Sequence, residues 1–518
     1  MKRMVVALVV LALLLVSGVV TVLGAIGSDE EPGAEQQPAA SLPPEPGSTV
    51  PPSRQLAPFY AQGVTWEPCR ERFECATIEV PMDYAEPNGA TIDLALLKVP
   101  AADLATRVGS LVVNPGGPGA SGTDYASQSG LVFGDPLLNS FDIVGFDPRG
   151  TGESHPVDCL TDEQMDAYLA SEPDPDTAAE RREFAREVST FGRACVERTG
   201  QLIGHVSTIE AARDMDVLRA ALGESQLDYY GASYGTQLGS TYAELFPAKV
   251  GRFVLDAAVD PTLGLRQDRL SQAGGFETAL RSYVQNCLET AESCFLGDSV
   301  AEGMQRIQAF LESVDATPLQ TSDGREVTEG VATTGIAVTL YNRDYWTLLS
   351  QGLTTAFDGD GTTLLLLADA YATRQPSGEY STNLLEATYA INCLDDPSSV
   401  PFSQVESLVP AFERASPTFG RGFAWGLTGC SGFVPRSSLK PLRIRAEGAA
   451  PIVVVGTTRD PATPYAEAVA LADQLESGVL VSRDGDGHGG YNVGNDCVDE
   501  AVESYLIRGD VPDDGLAC

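Results

Sequence analysis

The sequence predicts an α/β protein: a mostly parallel sheet with helices on both faces, split by a large, mainly helical insertion. Three observations lead there. Strand and helix patterns alternate in the first and last parts of the 518-residue chain. A long helical stretch separates them. An apolar run also stops abruptly at "LDYYGASYGTQLG" (227–239), where one serine sits between two glycines.

At the N-terminus, Lys2 and Arg3 precede a long apolar run, "MVVALVVLALLLVSGVVTVLGAIG", that ends near Gly27. Residues 1–27 read as a signal peptide or an N-terminal membrane anchor, which leaves the rest of the chain secreted or at the cell surface. Residues 28–58, rich in Pro, Glu, Gln, Ala and Ser, read as a disordered linker. The first part of the core is expected over 59–262. "TIDLALLKV" (91–99) alternates like a strand, and "SLVVN" (110–114), "FDIVGF" (141–146), "LDYY" (227–230) and "RFVLDA" (252–257) are short apolar strands. Ile209, Ala212, Met215, Leu218 and Leu222 share one face of a helix. Residues 263–435 read as an inserted helical domain, as in "MQRIQAFLESV" and "YWTLLSQGLTTAF". The strand pattern returns over 436–518, with "PIVVVG" (451–456), a helix near 464–476, "GVLVS" (478–482) and a helix near 498–507.

Composition narrows the function. A formal net charge of −39 argues against nucleic acid, whose phosphates need a basic surface. Ten cysteines, an even number in an exported chain, point to disulfides. Neighbours in sequence suggest Cys69–Cys75, Cys159–Cys195, Cys287–Cys294, Cys393–Cys430 and Cys497–Cys518. Without a C-x-x-C motif, and with only three histidines, no metal site and no cofactor is expected.

The serine stretch then carries the chemistry. Gly231-x-Ser233-x-Gly235 after a strand reads as a nucleophile elbow, although G-x-S-x-G alone arises roughly 0.4 times by chance in such a chain. A serine hydroxyl needs an imidazole to take its proton. In this arrangement the acid and then the histidine follow the serine, each on a loop beyond a strand. His155 and His205 precede Ser233, so the order selects His488 in "RDGDGHGGYN". Asp460, in "VVVGTTRDPATPY", is the expected orienting acid, because one helix and one strand separate it from His488. Asp256, after the strand that follows the elbow, is its rival. An oxyanion would be held by the Tyr234 N–H and by Gly117 in "LVVNPGGPGASG". That segment also reads Gly117-x-Gly119-x-x-Gly122, a dinucleotide fingerprint, but Pro115 and Pro118 stiffen the turn and the cofactor reading leaves Ser233, Asp460 and His488 unexplained.

With these residues placed, the chain resembles α/β-hydrolases of the proline iminopeptidase type. It is more similar still to the exported tripeptidyl aminopeptidases of actinobacteria. The matching segments are "NPGGPGASG" (114–122), "FDIVGFDPRGTGES" (141–154), "YYGASYGT" (229–236), "AINCLDDP" (390–397), "VVVGTTRDPATPY" (453–465) and "DGHGGY" (486–491). Asn114 stands where many proline iminopeptidases have histidine. The resemblance implies an aminopeptidase acting through Ser233, Asp460 and His488, with Gly117 and Tyr234 as oxyanion donors and a peptide with a free N-terminus as partner. A carboxylester hydrolase with the same triad, or a non-catalytic surface protein of the same fold, are the alternatives. A buried ammonium needs a carboxylate. Asp395, with Glu386 and Asp396, is the expected source in the inserted block.

Overall fold

The computed structural model describes residues 45, 47–70, 72–437, 439 and 442–518. The expected export segment and most of the expected linker lie outside the described residues.

Twelve strands are present among the described residues: β1 (Glu67–Cys69), β2 (Phe73–Pro81), β3 (Thr91–Val99), β4 (Gly109–Asn114), β5 (Phe141–Phe146), β6 (Leu227–Ala232), β7 (Val250–Asp256), β8 (Leu319–Gln320), β9 (Glu326–Val327), β10 (Ile452–Arg459), β11 (Gly478–Asp486) and β12 (Leu516–Ala517). Ten form one sheet in the order β1-β2-β3-β5-β4-β6-β7-β10-β11-β12, and β8 and β9 form a separate two-stranded sheet. From β5 to β12 every neighbour is parallel, whereas β1, β2 and β3 join antiparallel at one edge. This is the α/β-hydrolase fold with an inserted helical region.

The central strands are apolar on both faces because helices cover both. Val112, Tyr229, Phe253 and Val454 pack with Met215 and Leu218 of the helix Thr208–Leu222 on one side. Val113, Tyr230, Val254 and Val455 pack with Val498 and Tyr505 of the helix Asp496–Arg508 on the other. The inserted helices have a separate core, including Leu280, Ile307, Ile336, Leu349 and Leu364. The insertion also takes in earlier chain, since Phe184 of the helix Ala178–Thr199 meets Trp425 edge-on with centroids 5.5 Å apart.

The linker expectation fails at its C-terminal end. The Ser48 carbonyl accepts from the buried Arg219 guanidinium at 2.9 Å, and Glu45 takes the Ser225 N–H at 2.9 Å. A main-chain carbonyl of the stretch makes the first of these contacts, so the stretch needs no apolar period to dock. All five expected disulfides are present and no described cysteine is free. They accord with an extracytoplasmic location.

Candidate active site

Ser233 sits between β6 and the helix Tyr234–Leu245 with φ 57° and ψ −125°. Such a conformation costs on the order of 1–3 kcal/mol for a non-glycine residue and persists only where its surroundings impose it. Here they do. The Ser233 N–H donates to the Asp256 carbonyl at 2.9 Å, and the Thr236 N–H donates to the Ser233 carbonyl at 2.8 Å. The flanking glycines are sterically required. A Cβ on Gly231 would fall 2.5 Å from the Gly235 carbonyl oxygen, and one on Gly235 would fall 2.7 Å from that of Asn114.

The turn after β4 lies against the elbow. At Gly116 (φ +100°) a Cβ would come within 2.8 Å of Ser233 Cβ and 3.0 Å of the Tyr234 nitrogen. Asn114 Oδ1 accepts the Gly116 N–H at 3.0 Å. An asparagine side chain at this position thus braces the turn from within. With the Gly116 N–H taken, the turn's next N–H belongs to Gly117, in the segment packed against Tyr234.

Asp460 follows β10 and is 2% exposed. His488 follows β11, and its Nδ1 lies 2.9 and 3.0 Å from the two Asp460 carboxylate oxygens. Asp460 Oδ1 also accepts the Ala462 and Thr463 N–H groups at 2.9 Å each, and Oδ2 accepts the Gly489 N–H at 3.2 Å. A carboxylate held this way keeps the imidazole proton on Nδ1 and leaves Nε2 free to act as a base. Burial opposes a charged imidazole. The charge and hydrogen bond of Asp460, with the charge of Asp256, outweigh it, so the His488 pKa is raised.

The rival acid stands elsewhere. Asp256 ends β7 beside the elbow, and its carboxylate accepts from Gly490, Tyr491 and the Tyr230 hydroxyl. Of the other histidines, His205 pairs with Glu210 at 3.2 Å and His155 is exposed.

The three acids expected to meet a substrate amine have protein partners. Glu386 accepts the Cys159 and Leu160 N–H groups at 2.8 Å each. Asp396 accepts the Leu265 N–H at 3.2 Å and the Ser398 N–H at 3.0 Å. Asp395 accepts the Thr208 N–H at 2.9 Å, and burial pushes its pKa up to about 7.

Sequence reasoning missed Tyr341. Its carbonyl accepts the His488 N–H at 2.8 Å, and its ring meets the imidazole edge-on with centroids 5.2 Å apart. Nothing local marks it, because it lies in the loop after an ordinary apolar helix. Tyr341 also borders a cavity of about 520 Å³ walled by Phe184, Phe276, Tyr371 and Phe423, with Glu172 and Glu187 among its lining residues.

A serine lifted out of its sheet and an imidazole braced by a carboxylate are the parts of acyl transfer through a serine ester. The protein is a serine hydrolase of the α/β-hydrolase fold. Within that class, the chain belongs to the actinobacterial TAP-like family. The family described as "TAP-like protein" matches residues 416–518. Serine protease Hip1 of Mycobacterium tuberculosis is 37% identical over 491 residues, covering 90% of this chain and 93% of that protein. Carboxylesterase B of the same species is 35% identical over 508 residues, covering 95% and 94%. The tripeptidyl aminopeptidase of Streptomyces lividans is 30% identical over 462 residues, covering 86% and 85%.

Proposed function

We propose that the protein is an extracytoplasmic serine exopeptidase that releases short peptides from free N-termini, with Ser233 as nucleophile, His488 as general base and Asp460 as its orienting acid. The Ser233 hydroxyl adds to the scissile carbonyl while His488 Nε2 takes its proton. The Tyr234 and Gly117 N–H groups face the oxyanion. The imidazolium then protonates the departing amine, and water resolves the acyl-enzyme by the same route in reverse.

The observation that carries the peptidase reading is the cavity bordered by Tyr341. Its aromatic walls suit apolar side chains, and Glu172 and Glu187 offer charge to an ammonium group. Glu172 also belongs to an acidic cluster with Asp174 and Glu329, whose carboxylate oxygens lie within 4.8 Å of one another. Burial and the charges of Asp174 and Glu172 push Glu329 up to about 10.

Peptidyl amides with free and with acetylated N-termini, read for rate and cleavage position, test the proposal. Free-amine substrates should be cut near the N-terminus, and acetylation should lower kcat/KM by about 10²-fold or more, the usual penalty for losing a charged partner. Equal rates on both series would refute it. Preference for acyl esters lacking an amine would favour a carboxylester hydrolase.

A further inference from the structure

Asp256 is 1% exposed and, among the described residues, has no cation hydrogen-bonded to it, an expensive condition for a carboxylate. An apolar side chain would pack there at lower cost, so its retention needs a reason. Its position supplies one. In the sheet register Asp256 pairs with Ala232, the residue before Ser233, and with Val455 on the strand that leads to Asp460. Its carbonyl takes the Ser233 N–H at 2.9 Å. Its carboxylate takes the Gly490 N–H at 2.9 and 3.1 Å, the Tyr491 N–H at 3.0 Å and the Tyr230 hydroxyl at 2.8 Å.

We propose that Asp256 is a positioning residue that fixes nucleophile and base to each other, gripping the elbow through its main chain and the His488 loop through its carboxylate. The inference rests on Ser233 and His488 being that nucleophile and base.

The loop needs such a grip. Gly487 and Gly489 flank His488 at φ +100° and +91°, in a backbone region with little intrinsic stiffness. Asp460 holds the imidazole and the Gly489 N–H, and Asp256 holds the next two N–H groups. The histidine is thus fixed on both sides of the flexible point. Misplacing a base by about 1 Å can cost on the order of 10²-fold in rate. Asparagine cannot substitute, because its amide nitrogen would face an N–H or hydroxyl donor that now has an acceptor. The carboxylate also acts through space. The charged groups within its reach are His488, whose protonated form it favours, and the Arg483 guanidinium on β11.

The test compares Asp256→Asn with the parent enzyme and with Asp460→Asn and Ser233→Ala, on a small ester and a free-amine peptide. For Asp256→Asn, kcat should fall 10- to 100-fold on both substrates with KM within about 2-fold. The acid limb of kcat/KM should move to lower pH, because one negative charge beside the imidazole is gone. Unchanged kcat in the folded variant would overturn the proposal, as would a loss as large as that of Asp460→Asn, which would make Asp256 the orienting acid. Full activity in Ser233→Ala would remove the underlying nucleophile assignment and the proposal with it. Should Asp256→Asn not fold, amide exchange in the parent enzyme decides. Gly490 and Tyr491 should be protected well beyond Gly487, and fast exchange at both would count against the grip.

Discussion

Asp395 and Thr208 join the inserted helices to the core beneath the nucleophile. Asp395 Oδ1 accepts the Thr208 N–H at 2.9 Å, Oδ2 accepts the Thr208 hydroxyl, and that hydroxyl lies 2.7 Å from Tyr234 Oη. The chain of contacts ends on the residue expected to hold the oxyanion.

This predicts a pH-dependent stability. Burial holds Asp395 near 7 rather than 3.8, so the folded state keeps a proton that the unfolded chain releases. The contribution is complete below about pH 4 and is lost as pH rises through 7, at most roughly 4 kcal/mol. Chemical denaturation of the parent and Asp395→Asn from pH 4 to 8 should show the parent losing stability relative to the variant. Parallel profiles would contradict this. A fall in kcat on ester and peptide alike would accord with the Tyr234 contact, whereas a KM rise confined to free-amine peptides would mark Asp395 as a substrate-amine partner.

Ser233 should be the single site of reaction with a fluorophosphonate. Peptide mapping of the labelled protein should place the adduct there, and Ser233→Ala should abolish labelling and turnover together. An adduct on any other serine would remove the assignment.

Asp460→Asn should fold normally and lose about 10⁴-fold in kcat, because the amide favours the wrong imidazole tautomer. His488→Ala should lose at least as much, since the members act as a unit. The comparison fails if Asp460→Asn keeps a tenth of the parent rate.

The raised His488 pKa sets the acid side of the rate profile. Only the neutral imidazole can accept the serine proton, so kcat/KM should climb with pH through a midpoint above 6.5. An acid limb centred well below 6.5 in the parent enzyme would mean that Asp460 and Asp256 do not act on the base as described.

Much of this was legible in the sequence, for physical reasons. β4, β5, β6, β7 and β10 are covered on both faces, so they read as unbroken apolar runs. Ser233 and Asp460 each follow such a strand and His488 follows the partly buried β11, which makes their order along the chain informative. β2, "FECATIEVP", escaped notice because its exposure changes along its length at the antiparallel edge, and the two residues of β12 carry no pattern at all. The docking of residues 47–58 depends in part on the Ser48 carbonyl, an atom every residue has. Asp395 looked available for a ligand because its partner, Thr208, lies 187 positions away.

The placement of the helical insertion has a consequence for biosynthesis. Ser233 is made early, on the near side of the insertion, while Asp460 and His488 lie on its far side. A chain emerging N-terminus first carries Ser233 through nearly half of its synthesis without Asp460 or His488. Asp460 and His488 come to the elbow only when β10 docks beside β7 and β11 beside β10. Under the proposed mechanism an unfinished or C-terminally clipped chain lacks acid and base, and the closing of the sheet doubles as the activation step.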